Sequence, residues 1–363
     1  MKIYLVFYDV FRKAGIQRVV INLANSFQKN GDEVTIIVAD SSLSPAFSIH
    51  RDIKLISVNL PEVIKGTIFS KLVWFIKFIL KLHLEVKKGN PDILLDNGTL
   101  FGYLWPFEKF YNAPLILFRH FTVTDYPNGH LKFFIIKLLN RYKKIVVLNR
   151  KTKNDLNNLG FTNVEVIPNY VNIEHSHINV GQKKQKRILA IGRPVPQKGF
   201  DILLEAFYRL KLNHGLKGYT LTLIGDGMPY SDLTVFVDLY SLHDDVLLLD
   251  KVDDLSRYFT ESEIFVLPSR YEGMPMVILE AMTAECLIIA SDIIGVSDLL
   301  THEYNSLLFN VGNVDDLVKL LNSVIEQRIN TEELILNSKF AVQNFSENNI
   351  IEKWLNYLKP LIN

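Results

Sequence analysis

The chain reads as an α/β protein made of two doubly wound domains. Short apolar runs without polar alternation recur along all 363 residues, the pattern of strands covered on both faces of a parallel sheet. Helix-length segments separate these runs, as parallel strands require crossover connections. One polar stretch, Glu174–Arg187, breaks the rhythm once and reads as an interdomain linker. The length suits two domains of about 100–200 residues each.

Taken in order, Ile3–Tyr8 is the first strand, Ile16–Asn30 a helix closed by Gly31, and Glu33–Ala39 the second strand. Asp92–Leu95, Leu115–Phe118 and Ile145–Leu148 follow in the first half. The second half repeats the pattern at Arg187–Ile191, Leu221–Ile224, Val246–Leu249, Ile264–Leu267 and Cys286–Ala290. The expected division is 1–172 for the first domain, 173–186 for the linker and 187–342 for the second domain. A closing segment, 343–363, contains Trp354 and is expected to cross back to the first domain.

A composition of 48% hydrophobic and 22% charged residues predicts a packed core and excludes global disorder. The lone cysteine, Cys286, lies in an apolar run; it excludes an intrachain disulfide and reads as a small buried hydrophobe. The N-terminal run meets a charge too soon for a signal peptide, and no stretch reaches the roughly 18 uncharged apolar residues of a membrane span. The expected location is therefore cytoplasmic, soluble or peripheral to the inner face of the cytoplasmic membrane. Net charge is +1 but unevenly placed: residues 1–170 carry 23 basic and 13 acidic side chains, the remainder 17 and 26. A basic first half is a candidate for contact with an anionic membrane or polyanion. Ser70–Lys88 sharpens this, with Ser70, Lys77, Lys81 and Lys88 on one helical stripe beside a wide apolar face. It reads either as a membrane-surface helix or as a helix buried on the sheet with outward-snorkelling lysines. Leu131–Lys144 is a second, weaker segment of this kind.

Two segments carry chemistry. Ser269-Arg-Tyr-Glu272-Gly-Met-Pro-Met-Val-Ile-Leu-Glu280-Ala-Met opens an apolar helix after a Gly-x-Pro break. Free N–H groups after Gly273 would form an anion site at the positive helix end. If all eight steps were helical, the two glutamates would stand roughly 12 Å apart along the axis. That exceeds the roughly 5–9.5 Å of a hydrolase pair and suits the two ends of a long ligand with a phosphate between them. Gly192-Arg193-Pro-Val-Pro-Gln-Lys198-Gly-Phe-Asp201 directly follows the strand ending at Ile191. Arg193 and Lys198 are placed to neutralise a diphosphate at the carboxyl end of that strand.

These segments resemble the nucleotide-sugar site of family-4 glycosyltransferases of the GT-B fold. Ala14-Gly15-Ile16 resembles the N-terminal glycine loop, Leu148-Asn-Arg with Val166-Ile-Pro-Asn169-Tyr-Val171 the close of the first domain, and Gly225-Asp226-Gly227 a strand–loop of the second. Glu272 and Glu280 match the family's Glu-x7-Glu pair. The resemblance implies two Rossmann-like domains facing across a cleft, with roles carried over by position. Arg193 and Lys198 would grip the donor diphosphate, Glu280 the ribose hydroxyls and Glu272 the donor sugar. Backbone N–H groups of Gly273, Met274, Pro275, Met276 and Val277 would meet the distal phosphate, which Gly15 would approach from the other domain. His120, after the strand Leu115–Phe118, matches the active-site histidine near the reacting carbon; a histidine packed at a strand end is the bland alternative.

The implied function is a retaining transfer of sugar from a nucleotide diphosphate sugar, UDP-sugar first, to a cell-envelope glycan or glycolipid such as lipopolysaccharide or capsule. A soluble glucan or disaccharide synthase and a non-catalytic sugar-binding protein remain as alternatives. Expected partners are thus the donor, a glycan or lipid-linked acceptor and an anionic membrane, with no nucleic acid. No Asp-x-Asp occurs, so no metal or cofactor is expected, Arg193, Lys198 and the helix dipole supplying the positive charge. The chain departs from the family in having Ala14-Gly15 for a Gly-Gly pair, Asp96-Asn97-Gly98 where many relatives carry a histidine, and Glu285 for a small residue. Base, sugar and acceptor are left open.

Overall fold

Parallel pairing on both sides of the first strand sets the architecture of the first half. The computed structural model describes the chain except residues 12–14, 41–43, 61–66, 99–101, 121–129, 173–183, 214, 226–230, 253 and 363, and the side chains of 68, 130–134 and 231. The elements begin with β1 (Lys2–Val6), α1 (Gly15–Lys29), β2 (Glu33–Val38), β3 (Lys54–Ser57) and α2 (Ile68–Gly89). They continue with β4 (Ile93–Asp96), β5 (Leu115–Phe118), α3 (His130–Leu139), β6 (Lys144–Val147), α4 (Arg150–Asn158) and β7 (Val164–Val166). The described strands form a sheet in the order β3-β2-β1-β4-β5-β6-β7, with Ile3 paired to Val34 on one side and Ile93 on the other.

The second half repeats the plan. Its elements are β8 (Gln185–Ile191), α5 (Phe200–Leu212), β9 (Thr220–Ile224), α6 (Ser231–Leu239), β10 (Val246–Leu249) and α7 (Ser256–Glu261). Then come β11 (Ser262–Leu267), α8 (Met276–Thr283), β12 (Leu287–Ser291), β13 (Leu307–Phe309), α9 (Val314–Ile325) and α10 (Thr331–Val342). The sheet order is β10-β9-β8-β11-β12-β13, again all parallel in its pairings. The last helix is α11 (Glu347–Leu358).

The chain divides into two compact units, Met1–Asn169 with Asn348–Asn363, and Tyr170–Glu347. Three boundaries differ from the sequence reading. Tyr170–Asn172 belong to the second unit: Val171 donates its N–H to the Phe345 carbonyl at 3.0 Å, and Asn172 Nδ2 donates to Glu347 at 2.7 Å. The same contacts keep 343–347 there, so the segment joining the first unit starts at Asn348. Gln185 and Lys186, read as linker, are strand, because Gln185 pairs with Ser262 and the preceding Lys184 Nζ donates to the carbonyls of Ser262 and Ala284 at 3.0 and 2.9 Å. The rest of the linker, with His175 and His177, lies outside the described residues. Strands β3, β7 and β13, four residues or fewer and at or near sheet edges, are absent from the sequence reading. β3 and β7 each carry a charged residue and are only partly buried, and β13 has three residues, so none shows a sustained apolar run.

Cores form where the unalternating runs meet helix stripes. In the first unit, Val6, Leu94, Leu117 and Ile145 of the sheet meet Phe78, Leu82 and Val86 of α2. In the second, Ile188, Leu221, Ile264 and Leu287 meet Leu203, Phe207, Leu317 and Leu321 of α5 and α9. Gly31 holds φ +87° and ends α1 in the left-handed region where glycine carries no Cβ penalty. Cys286 is fully buried and burial pushes its thiol up to about 11, leaving it an unreactive core residue. Trp354 of α11 is 1% exposed, its ring edge-on to Phe118 of β5 at 5.1 Å and to Phe27 of α1 at 6.2 Å. Among the described residues no helix is long and apolar enough to cross a membrane.

Trp354 is the largest fully buried side chain, so Trp354→Ala is expected to cost about 3–5 kcal/mol in urea unfolding of the intact chain. A loss below about 1 kcal/mol would show that α11 does not anchor the first unit.

Candidate active site

In a doubly wound sheet the ligand crevice lies beyond the carboxyl ends of the strands where strand order reverses. Those points are β1 beside β4 in the first unit and β8 beside β11 in the second. Both segments singled out in the second half sit there: Gly192–Gly199 leaves β8, and Pro268–Pro275 leaves β11.

Several contacts hold the two loops side by side. Arg270 donates its backbone N–H to Gln197 O at 2.8 Å, and Gln197 Nε2 donates back to Tyr271 O at 3.0 Å. The Arg270 guanidinium forks onto Asp201 at 2.9 and 2.7 Å and holds that carboxyl below its usual range. Gly199 has φ +65°, and a Cβ there would stand 2.0 Å from the Pro268 carbonyl oxygen, so only glycine allows this approach. Gly295, after β12, is likewise pressed on the backbone of Glu272, whose carbonyl oxygen would be 2.4 Å from an added Cβ.

Out of this packing comes an ion pair. Lys198 Nζ lies 2.6 Å from Glu272 Oε1, which also accepts from Ser269 Oγ at 2.7 Å. The two charged side chains are 16% and 9% exposed, so solvent screens the pair little. Sequence reasoning placed Lys198 on a phosphate and Glu272 on a sugar; the structure joins them directly. Arg193, on the same loop, is exposed, and no side-chain partner is described for it.

Helix α8 starts at Met276, with Pro275 at the N-cap, so only the last four steps from Glu272 to Glu280 are helical. Two expectations change. The 12 Å axial separation does not apply, and Pro275, having no N–H, cannot donate to an anion. Met276 and Val277 head the helix, where backbone N–H groups lack intrahelical acceptors, and Gly273 and Met274 each take part in an interaction within the chain. Glu280 projects from the helix and is 8% exposed. Glu285 follows the helix at φ +56°, a left-handed position where a small residue is usual.

His120 and Gly15 belong to the first unit. His120 follows β5, is 6% exposed, packs 4.3 Å from the Phe118 ring and holds a ring nitrogen 3.3 Å from Asn97 Oδ1. Burial, and secondly the Arg119 charge, push its imidazole down to about 3, so the ring is neutral at pH 7. Asn97 stands at the end of β4 next to Asp96, which is fully buried. Asp96 accepts from the N–H groups of Gly98, Tyr103 and Leu104 and from the Tyr142 hydroxyl at 2.7–2.9 Å, holding that loop end in place. Gly15 heads α1, and a Cβ added there would meet nothing within 4 Å, so packing in the unit does not require the glycine. Ala14, Asp226 and Gly227 lie outside the described residues. Among the described residues no group of three or more His, Cys, Asp or Glu could hold a metal.

Sequence reading missed Ser269, Gln197, Asn97 and Gly295 as site residues. Ser269 and Gln197 lie inside the motifs but have no motif role; Gly295 is a lone glycine whose tight contact is visible only in three dimensions.

Comparison with known proteins divides the chain the same way. Residues 171–340 match the family described as glycosyl transferases group 1, and residues 14–175 match glycosyltransferase family 4. The amylovoran biosynthesis glycosyltransferase AmsD of Erwinia amylovora is 25% identical over 97% of this chain and 98% of its own. A GalNAc-alpha-(1->4)-GalNAc-alpha-(1->3)-diNAcBac-PP-undecaprenol alpha-1,4-N-acetyl-D-galactosaminyltransferase of Campylobacter jejuni is 24% identical over 96% of each chain. HepE of Anabaena, solved in complex with UDP, superimposes with a TM-score of 0.79 at 16% identity, covering 99% of this chain and 100% of its own.

Two outcomes follow. Gly199→Ala forces a left-handed alanine against a carbonyl, and equilibrium unfolding should show a loss of about 1–3 kcal/mol; an unchanged midpoint would refute the tight contact. His120 should keep its neutral ring signals in NMR from pH 8 to pH 5. With the native value near 3 and the unfolded one near 6.5, its share of stability is present above pH 6.5 and lost as pH falls toward 3.

Proposed function

Because this chain belongs to the family-4, group-1 glycosyltransferases and has the GT-B fold, we propose that it is a retaining enzyme moving a sugar from a nucleotide diphosphate sugar to a cell-envelope glycan or glycolipid. The observation that carries this is the Lys198–Glu272 pair, made between the loop that also carries Arg193 and the loop that leads into α8, at the reversal point of the second sheet. The pair keeps the ligand-free site neutral. A diphosphate would draw Lys198 and Arg193 to itself, leaving Glu272 to accept from sugar hydroxyls and Glu280 from the ribose. The N–H groups of Met276 and Val277 add the positive helix end, and no metal is needed to stabilise the leaving group. UDP is the first candidate nucleotide, as HepE was solved with it.

Retention by double displacement needs a carboxylate that attacks the anomeric carbon. In the donor complex Glu272 accepts from sugar hydroxyls and does not face the anomeric carbon, which favours front-face attack with the leaving phosphate taking the acceptor proton. His120 is neutral and can donate or accept one hydrogen bond near the transferred sugar. The Campylobacter relative is named for a saccharide carried on PP-undecaprenol, which supports a lipid-linked acceptor and a reaction at the inner face of the cytoplasmic membrane.

Transfer assayed with a panel of nucleotide sugars tests the reading. Lys198→Ala is expected to lower kcat/KM by about 10²–10³, and the product anomer by NMR should match the donor. Glu272→Gln separates binding from chemistry: it frees Lys198 and removes a carboxylate near the diphosphate, so UDP should protect this variant from thermal unfolding more strongly while turnover falls. An inverted product, or transfer untouched by both variants, would sink the proposal.

A further inference from the structure

Helix α2 has two different faces. Phe78, Leu82 and Val86 are fully buried against the first sheet, with Trp74, Phe75 and Ile79 partly buried beside them. The opposite face is not polar. Phe69, Leu72, Ile76, Leu80 and Leu84, three or four residues apart, are 74, 53, 45, 47 and 64% exposed. At 1.5 Å per residue this stripe runs about 22 Å along the helix. It continues onto Phe110, 62% exposed, which meets His83 of α2 with ring centroids 5.7 Å apart. Of the exposed large apolar side chains described in the first unit, all but Ile362 lie in this patch. An ordinary surface helix shows charge where these residues stand.

The charge around the stripe has one sign. Lys77, Lys81 and Lys88 line one edge at helical spacing, and Lys71 and Lys87 are exposed near the ends. Lys81 is tied to the carbonyls of Val58 and Asn59 at 2.8 and 3.2 Å, which leaves Lys71, Lys77, Lys87 and Lys88 without a described acceptor. Glu85, half-buried, is the only carboxylate on α2. An apolar stripe rimmed by lysines matches the boundary between acyl chains and anionic headgroups.

From this we infer that the outer face of α2 with Phe110 docks the protein on a bilayer containing anionic phospholipid, lying in the interface without spanning it. This surface suits the lipid-linked acceptor of the reading above but belongs to a different unit from the donor residues, so the two are separable by experiment.

The test is co-sedimentation of the full chain with vesicles of phosphatidylglycerol and phosphatidylethanolamine, and with vesicles of phosphatidylcholine alone. Binding to the anionic vesicles is expected to be at least tenfold stronger. Leu80→Ser combined with Leu84→Ser should weaken it at least tenfold, and Lys77→Ala with Lys88→Ala by about fivefold per lysine, with added salt acting in the same direction. Both variants should retain UDP protection against thermal unfolding, which shows that they fold and that the donor site is independent. Failure of the wild type to bind anionic vesicles, equal binding by the leucine variant, or equal binding to phosphatidylcholine would overturn the inference. So would ultracentrifugation showing a dimer that the leucine variant dissolves, since a second copy would then be the occupant.

Discussion

The parallel hydrogen-bonded ladder between β8 and β11 is the contact on which the site depends. It pairs Ile188 with Ile264 and Leu189 with Phe265, and so brings the carboxyl ends of two strands distant in sequence next to each other. Every later feature builds on that adjacency. Gly199 can lie on Pro268 only because the strands below are neighbours, and Arg270 can reach both Gln197 and Asp201 only because the loops leave the sheet together. The ion pair of Lys198 and Glu272 is the last step, a contact over 74 residues of sequence made by two short loops.

That pair matches a cation with a carboxylate within the site. Lys198 is 16% exposed and would be poorly screened by solvent without a counter-charge. Glu272 offsets this locally, 2.6 Å from the Lys198 ammonium. In the first unit, burial pushes the His120 imidazole down, so its ring is neutral at pH 7. Asp96 differs in purpose. Buried and held by three backbone N–H groups and a tyrosine hydroxyl, it shapes the loop that carries Asn97, and Asn97 in turn contacts His120.

The first unit combines two demands on one helix. The inner face of α2 completes the core through Phe78, Leu82 and Val86, and its outer face keeps a stripe of leucine, isoleucine and phenylalanine in contact with solvent. The two readings that the sequence left open for this segment describe these two faces. Burial on the sheet explains why the helix is there; it does not explain the outer stripe.

Much of the fold was legible from residue patterning, for a physical reason. A strand buried on both faces must be apolar throughout, so the apolar runs declared themselves, four-residue ones included, whereas Lys54–Ser57 and Val164–Val166 each carry a charged residue and Leu307–Phe309 has only three residues. The strand-end positions of Arg193, Lys198, Glu272 and His120 also followed from sequence, since loops after parallel strands begin where the apolar run stops. Sequence could not show that Lys198 bonds Glu272, that Pro275 stays outside its helix, or that Gly295 presses on Glu272, because these depend on which strands are neighbours. Nor could it choose between the faces of α2. Residue patterning alone sufficed for two doubly wound α/β domains and for naming candidate site residues. Only the tertiary structure decided which of those residues touch, because strand order is set by packing between segments far apart in the chain.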